Sequence, residues 1–119
     1  MTLSEKRVLF TQAIAHLIIW AHSKGFFIAL DQVKRTQAEA DANAKSGAGI
    51  SNSLHLQGLA ADCLLYMRDE DGKYVYKTNS ADYKELGEYW ETLHPLACWG
   101  GRFKKVDGNH FSFEHNGVK

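Results

Sequence analysis

The sequence predicts an α+β fold in which a small, mainly antiparallel sheet packs against helices. Three observations lead there: a helical apolar period near the start, short apolar or alternating runs bounded by turn residues, and a second helical period that stops at the only proline. The 119 residues are 45% hydrophobic, enough for one core and hardly for two. No internal repeat, Pro-rich linker or low-complexity run divides them, so residues 1–119 are expected to form a single domain.

Leu3-Ser4 followed by Glu5 reads as a helix start, and Val8, Phe10, Ile14, Leu17, Ile18 and Ala21 recur at helical spacing up to Gly25. The apolar run 26–30 reads as a strand, and residues 31–35 lead away from it. The Ala-rich stretch 36–45 can be helical, whereas 46–53 is a loop by composition that delivers the chain to His55. Beyond Gly58, residues 59–67 read as a buried strand; the turn Asp69-Glu70-Asp71-Gly72 returns 73–76 as its hairpin partner, nearer an edge. Ser80 suits the N-cap of a helix from Ala81, with Tyr83, Leu86, Tyr89, Trp90 and Leu93 apolar at helical spacing before Pro95. Trp99-Gly100-Gly101 then leads to the turn Asp107-Gly108-Asn109 and to an alternating strand over 110–114.

Charge narrows the function classes. Lys plus Arg and Asp plus Glu number 14 each, so no net charge is available to grip nucleic acid or an anionic membrane. The most apolar N-terminal segment, AIAHLIIWA, is interrupted by His16 and is far shorter than a bilayer span; neither a transmembrane segment nor a signal peptide is expected. Cys63 and Cys98 are too few for a disulfide framework and read as reduced, buried small hydrophobes.

Asp62 breaks the pattern. By alternation it shares one strand face with Ala60, Leu64 and Tyr66, while Ala61, Cys63 and Leu65 occupy the other, and neither face reads as solvent. Burying an unpaired carboxylate costs on the order of several kcal/mol, so a cation, a donor cluster or a metal is required. His55 lies seven residues upstream, and Gly58 permits a turn that swings it back over the strand end. His110, with Asp107 three residues before it across a tight turn, can reach the same cleft. Two histidines and an aspartate suit Zn²⁺ with an open fourth position, and Asp107 can then serve as general base. The residues alone leave alternatives: Asp62 can pair with Arg35 or Arg68, His110 can pack in the core, and Asp107 can be a turn former. His16 and His22 read as helix-surface residues, His94 as a cation at a helix end, and His115 as exposed or as an oxyanion donor.

Ser53-Leu54-His55-Leu56-Gln57-Gly58-Leu59-Ala60-Ala61-Asp62 fits S-x-H-x-x-G-x-A-x-D, and Trp99-Gly100-Gly101 with Asp107-Gly108-Asn109-His110-Phe111 fits W-G-G…D-x-x-H-F. Together they resemble the zinc peptidase family of D-alanyl-D-alanine carboxypeptidases and phage L-alanyl-D-glutamate endopeptidases, over about residues 26–115. The resemblance implies His55, Asp62 and His110 as zinc ligands and Asp107 as catalytic base. It further implies Arg35, in an Arg35-Thr36 pair, and Ser53 as substrate-binding residues for anionic peptide stems. The glutamine that often follows the R-T pair in that family is not evident in Ala38-Glu39-Ala40-Asp41.

The implied activity is hydrolysis of an amide in the peptide stem of bacterial peptidoglycan. A short, signal-less chain resembles a phage endolysin that cuts the L-alanyl-D-glutamate bond, held in the host cytoplasm until a membrane lesion releases it to the wall. A D-alanyl-D-alanine carboxypeptidase or dipeptidase of wall remodelling is the alternative with the same chemistry. A non-catalytic, zinc-stabilised binding module is the alternative of another class.

Overall fold

Thr2, rather than a residue of the Leu3-Ser4 pair, caps the first helix of the computed structural model, which describes residues 1–31 and 54–119. Its hydroxyl accepts from Glu5 N–H at 3.1 Å while the Glu5 carboxylate accepts from Thr2 N–H at 3.3 Å, a reciprocal capping box. Helix α1 (Leu3–Ser23) buries Phe10, Ala13, Ile14, Leu17 and Ala21. These positions follow the i, i+3, i+4, i+7 stripe. Val8, expected in that stripe, lies on the other side of the helix at 57% exposure, because two residues before Phe10 is a rotation of roughly 200°.

Four strands form the antiparallel order β1 (Phe27–Leu30), β2 (Ala60–Arg68), β5 (His110–Phe113), β4 (Ala97–Trp99), and β3 (Tyr74–Lys77) also pairs with β2. With the two α-helices among the described residues this is the α+β class that the sequence predicts. Strand β2 is the spine: its first three residues pair with β5, and its later residues pair with β1 and β3. The 3₁₀ turn Ser80–Tyr83 and helix α2 (Lys84–Leu93) connect β3 to β4. The possible helix at 36–45 and the loop at 46–53 lie outside the described residues.

Both helices pack on the sheet face that carries Ala61, Cys63, Leu65, Phe111 and Phe113, all of them fully buried. Phe10 meets Trp90 and Phe113 edge to face at 5.6 and 5.4 Å, so one aromatic cluster joins α1, α2 and β5. The Trp90 indole N–H donates to Cys98 O at 3.0 Å and Ser112 O at 3.2 Å, fastening α2 across β4 and β5. Burial pushes the Cys63 thiol up to about 12, helped by the Asp62 charge next to it, which keeps it an inert protonated hydrophobe. Both cysteines are free, Cys63 buried and Cys98 only half-buried.

The opposite face corrects the expectation that Asp62 is enclosed on both sides. Asp62, Leu64 and Tyr66 are partly exposed there, with the Asp62 side chain at 21%, because the helices cover only one side of β2. Two further expectations change. Asn79 Oδ1, not Ser80, caps the turn before α2 by accepting from Ala81 N–H at 3.0 Å, and the Ser80 hydroxyl accepts from Gly108 N–H at 3.1 Å. Strand β4, three residues long, is too short for alternation to reveal it.

The Trp99-Gly100-Gly101 segment holds the loop before β5. The Trp99 indole N–H donates to Gly108 O at 2.7 Å. Gly100 takes this loop at backbone contact: its carbonyl accepts from Asp107 N–H at 2.9 Å, and a Cβ there would overlap Asp107 O and lie 2.8 Å from His110 Cβ. Replacing Gly100→Ala should therefore destabilise the protein by about 1–3 kcal/mol, the usual cost of overpacking. A lowered urea midpoint at unchanged m-value is the expected readout; an unchanged midpoint contradicts the close approach.

Candidate metal centre and active site

Asp62 and His110 are direct cross-strand partners in the β2–β5 ladder, which places both side chains on the open sheet face. Opposed residues in such a ladder have Cβ atoms about 4.5–5.5 Å apart, so register alone brings the carboxylate to the imidazole. Asp62 O accepts from Asp31 N–H and Cys63 N–H donates to Asn109 O, both at 2.9 Å, holding this position of β2 from either side.

His55 arrives from a compact turn between two buried leucines, Leu54 and Leu59. Within it Gln57 N–H and Leu59 N–H donate to Leu54 O at 3.1 and 2.9 Å, and Gly58 N–H donates to His55 O at 3.2 Å. Gly58 closes the turn at φ +70°, a left-handed conformation natural to glycine. Arg7 reaches over from α1, donating to Gln57 O at 2.6 Å, so the first helix fixes the turn. His55 is consequently 4% exposed, with Nε2 3.3 Å from Asp62 Oδ1.

His110 completes the group, its Nδ1 4.0 Å from the same Asp62 oxygen and its ring 5.7 Å from that of His55 at a steep angle. One potential ligand atom from each of His55, Asp62 and His110 lies within 4.8 Å of the others. The donor set tests what belongs between them. His110 Nε2 is 3.1 Å from the main-chain oxygen of Lys119, which can only accept, so the ring proton sits on Nε2 and the Nδ1 lone pair faces Asp62. A lone pair opposed to a carboxylate oxygen is repulsive unless a cation or a proton lies between. Burial, against smaller opposing contributions from Lys119 and Asp107, holds His110 below the ordinary imidazole range and disfavours the proton. Two imidazole nitrogens and a carboxylate oxygen then fit a divalent first-row cation such as zinc.

Asp107 precedes His110 across the turn expected for it, with His110 N–H donating to Asp107 O at 3.1 Å. It stands outside the three-atom group. The residue is solvent-exposed at its outer side, yet crowding of its carboxyl by protein raises its proton affinity, the Asp62 charge adds to this, and His110 opposes it. A carboxylate with raised basicity beside a cation site is equipped to accept and return a proton. Arg35 and Ser53 lie outside the described residues. The alternative pairing of Asp62 with Arg68 is not made: the Arg68 guanidinium lies over the Phe27 and Tyr74 rings, at 5.0 Å from each.

The other histidines lie outside this group, and His16 is exposed on α1 as expected. His94 Nδ1 accepts from Leu96 N–H at 3.0 Å and its ring stacks on Phe113 at 4.8 Å, a different role from a cation at a helix end. His22 meets Phe27 edge-on at 5.1 Å. His115 Nδ1 accepts from Lys6 Nζ at 2.9 Å. What the sequence reading missed is the contact of Lys119 with His110; the signal available for it was Asn116-Gly117, a hairpin-turn dipeptide.

The sequence model of the family described as D-alanyl-D-alanine carboxypeptidase matches residues 46–113, a span that includes His55, Asp62, Asp107 and His110. Comparison with curated proteins gives no match. Among solved structures, the crystal structure of Serratia marcescens L-Ala D-Glu endopeptidase ChiX is similar, with a TM-score of 0.62 and 21% identity, covering 74% of this chain and 67% of that chain. At that identity the likeness is one of fold.

The His110 environment makes a pH prediction for the metal-free protein. Because its folded proton affinity is lowered, the unfolded chain binds more protons between the folded value and the ordinary one near 6.5, so stability rises with pH through that window. Chemical denaturation should give lower stability at about pH 5 than at about pH 7.5, with a smaller difference in His110→Asn. An equal difference in the two proteins would assign the effect elsewhere.

Proposed function

The chain belongs to the peptidase family described as D-alanyl-D-alanine carboxypeptidase, a family of peptidoglycan hydrolases, and on that premise we propose that it cuts the L-alanyl-D-glutamate amide of the peptide stem as an endolysin-type enzyme. The observation that carries the proposal is the convergence of His55, Asp62 and His110 on one point beside Asp107. His55, Asp62 and His110 are the residues that would hold zinc, which when bound supplies Lewis-acid polarisation and a more acidic water.

The Asp107 carboxylate takes the proton of the attacking water and returns it to the departing amine, so one group serves as base and then acid. Its place outside the ligand group leaves its oxygens free for the work. Arg35 and Ser53 are proposed to meet the anionic stem, as the family pattern implies. The endopeptidase reading draws on the named activity of the Serratia protein that shares the fold. The description of the matching family favours a second reading, a carboxypeptidase that releases terminal D-alanine.

No helix among the described residues is long and apolar enough to cross a membrane. An endolysin of this type is proposed to act from the host cytoplasm, reaching the wall through a lesion made by another protein.

Digestion of purified peptidoglycan separates the readings: new N-terminal glutamate supports the endopeptidase, free D-alanine supports the carboxypeptidase, and neither product contradicts both. Asp107→Asn should lower kcat by about 10²–10⁴-fold while one zinc per chain is retained. His55→Ala should lose zinc and activity together, and a chelator should reproduce that loss in the wild type. Full activity in Asp107→Asn would remove it from the proton transfer.

A further inference from the structure

The residues after β5 turn back on the sheet. His115 and Val118 form an antiparallel bridge, His115 N–H donating to Val118 O at 3.0 Å and Val118 N–H to His115 O at 2.9 Å. The two residues between them, Asn116 at φ +51° and Gly117 at φ +78°, have the paired positive angles of a two-residue hairpin turn. Lys6 Nζ ties this hairpin to α1 through its 2.9 Å bond to His115, and Val118 packs against the core. The hairpin delivers one atom to the site. The main-chain oxygen of Lys119 accepts from His110 Nε2 and from the Ser112 hydroxyl, each at 3.1 Å. Ser112 is fully buried and, two residues from His110 on the same strand, shares its face.

We propose that the 115–119 hairpin is a positioning device for His110. Through the main-chain oxygen of Lys119, steadied by Ser112, it fixes both the rotation of the ring and the tautomer, so that Nδ1 is presented to Asp62 as a lone pair. A histidine ring has a broad, roughly two-fold preference about its last torsion; the Phe103 and His55 rings, 5.4 and 5.7 Å from that of His110, contact it without hydrogen-bonding Nε2, whereas an acceptor at Nε2 distinguishes its two flips. Groups that orient a metal-binding histidine through its other nitrogen typically change metal affinity 10–100-fold when lost. The consequence for zinc rests on the function proposed above; the orientation of the ring does not.

The turn can be broken without touching the site. A Cβ at Gly117 meets no atom within 4 Å, so a substitution there acts chiefly through its backbone angle. Gly117→Val places a β-branched residue where φ is positive and should open the hairpin, whereas Gly117→Asn tolerates that angle and should keep it. Zinc affinity by chelator competition is expected to weaken about tenfold or more in Gly117→Val and to stay near wild type in Gly117→Asn. Nitrogen-15 spectra of the metal-free proteins should show a single Nε2-protonated tautomer for His110 in wild type and Gly117→Asn, and tautomer averaging in Gly117→Val. Unmoved His110 resonances in Gly117→Val, even with a lowered melting temperature, would reduce the hairpin to a structural role and overturn the proposal. Equal loss in both variants would overturn it as well. Should the wild type bind no zinc, the metal reading fails, and the tautomer spectra still decide the hairpin's role.

Discussion

The antiparallel pairing of Asp62 with His110 is the constraint from which the site follows. Two residues opposed in a ladder cannot choose separate faces, so once β2 and β5 are in register a carboxylate and an imidazole must share the open side of the sheet. A slip of one residue would turn Asp62 into the core and carry Ala61 out of it. The core enforces the register: Ala61 and Phe111 pair on the helix side, and Phe111, Phe113, Trp90 and Phe10 lock together beneath them. The buried aromatic cluster and the polar site are thus two faces of the same few residues of strand.

Three segments bring the rest of the site to that pair, and each is tied to other parts of the fold. The His55 turn hangs between Leu54 and Leu59 and is tied by Arg7; the loop carrying Asp107 is held by the Trp99 indole, the Ser80 hydroxyl and the bare backbone of Gly100; the last hairpin is tied by Lys6 and Val118. Distance along the chain is therefore a poor guide to energetic coupling here. Residues as remote in sequence as Arg7 and Lys6, both on the first helix, directly hold the His55 turn and the last hairpin. This is the rigid support that an oriented set of ligands needs.

Much of this was legible in the residues, for identifiable reasons. The helical stripe of α1 and the alternation of β5 are strong periodic signals, and both elements lie where they were expected. The four polar residues of the candidate site stand out because Asp62 lies among aliphatics and because two linked motifs surround it, and the structure brings His55, Asp62 and His110 together. The sequence misled where local pattern competed with tertiary contact. Asp62 is not enclosed, since which strand face the helices cover is decided by packing and not by composition. Ser80 gave its hydroxyl to Gly108 instead of to its own turn, a contact 28 residues away that no local rule contains. The Lys119 contact with His110 was missed because a main-chain oxygen carries no residue signature.

Two imidazoles and one carboxylate, delivered by β2, β5 and the His55 turn, are proposed to hold a divalent cation. X-ray absorption at the zinc edge, on protein loaded with one equivalent, tests it most directly because the inner coordination sphere reports its own atoms. Multiple-scattering features of two imidazoles, light oxygen or nitrogen neighbours throughout, and no sulfur are expected. A spectrum with sulfur neighbours, or one of a hydrated ion without imidazole features, would contradict it.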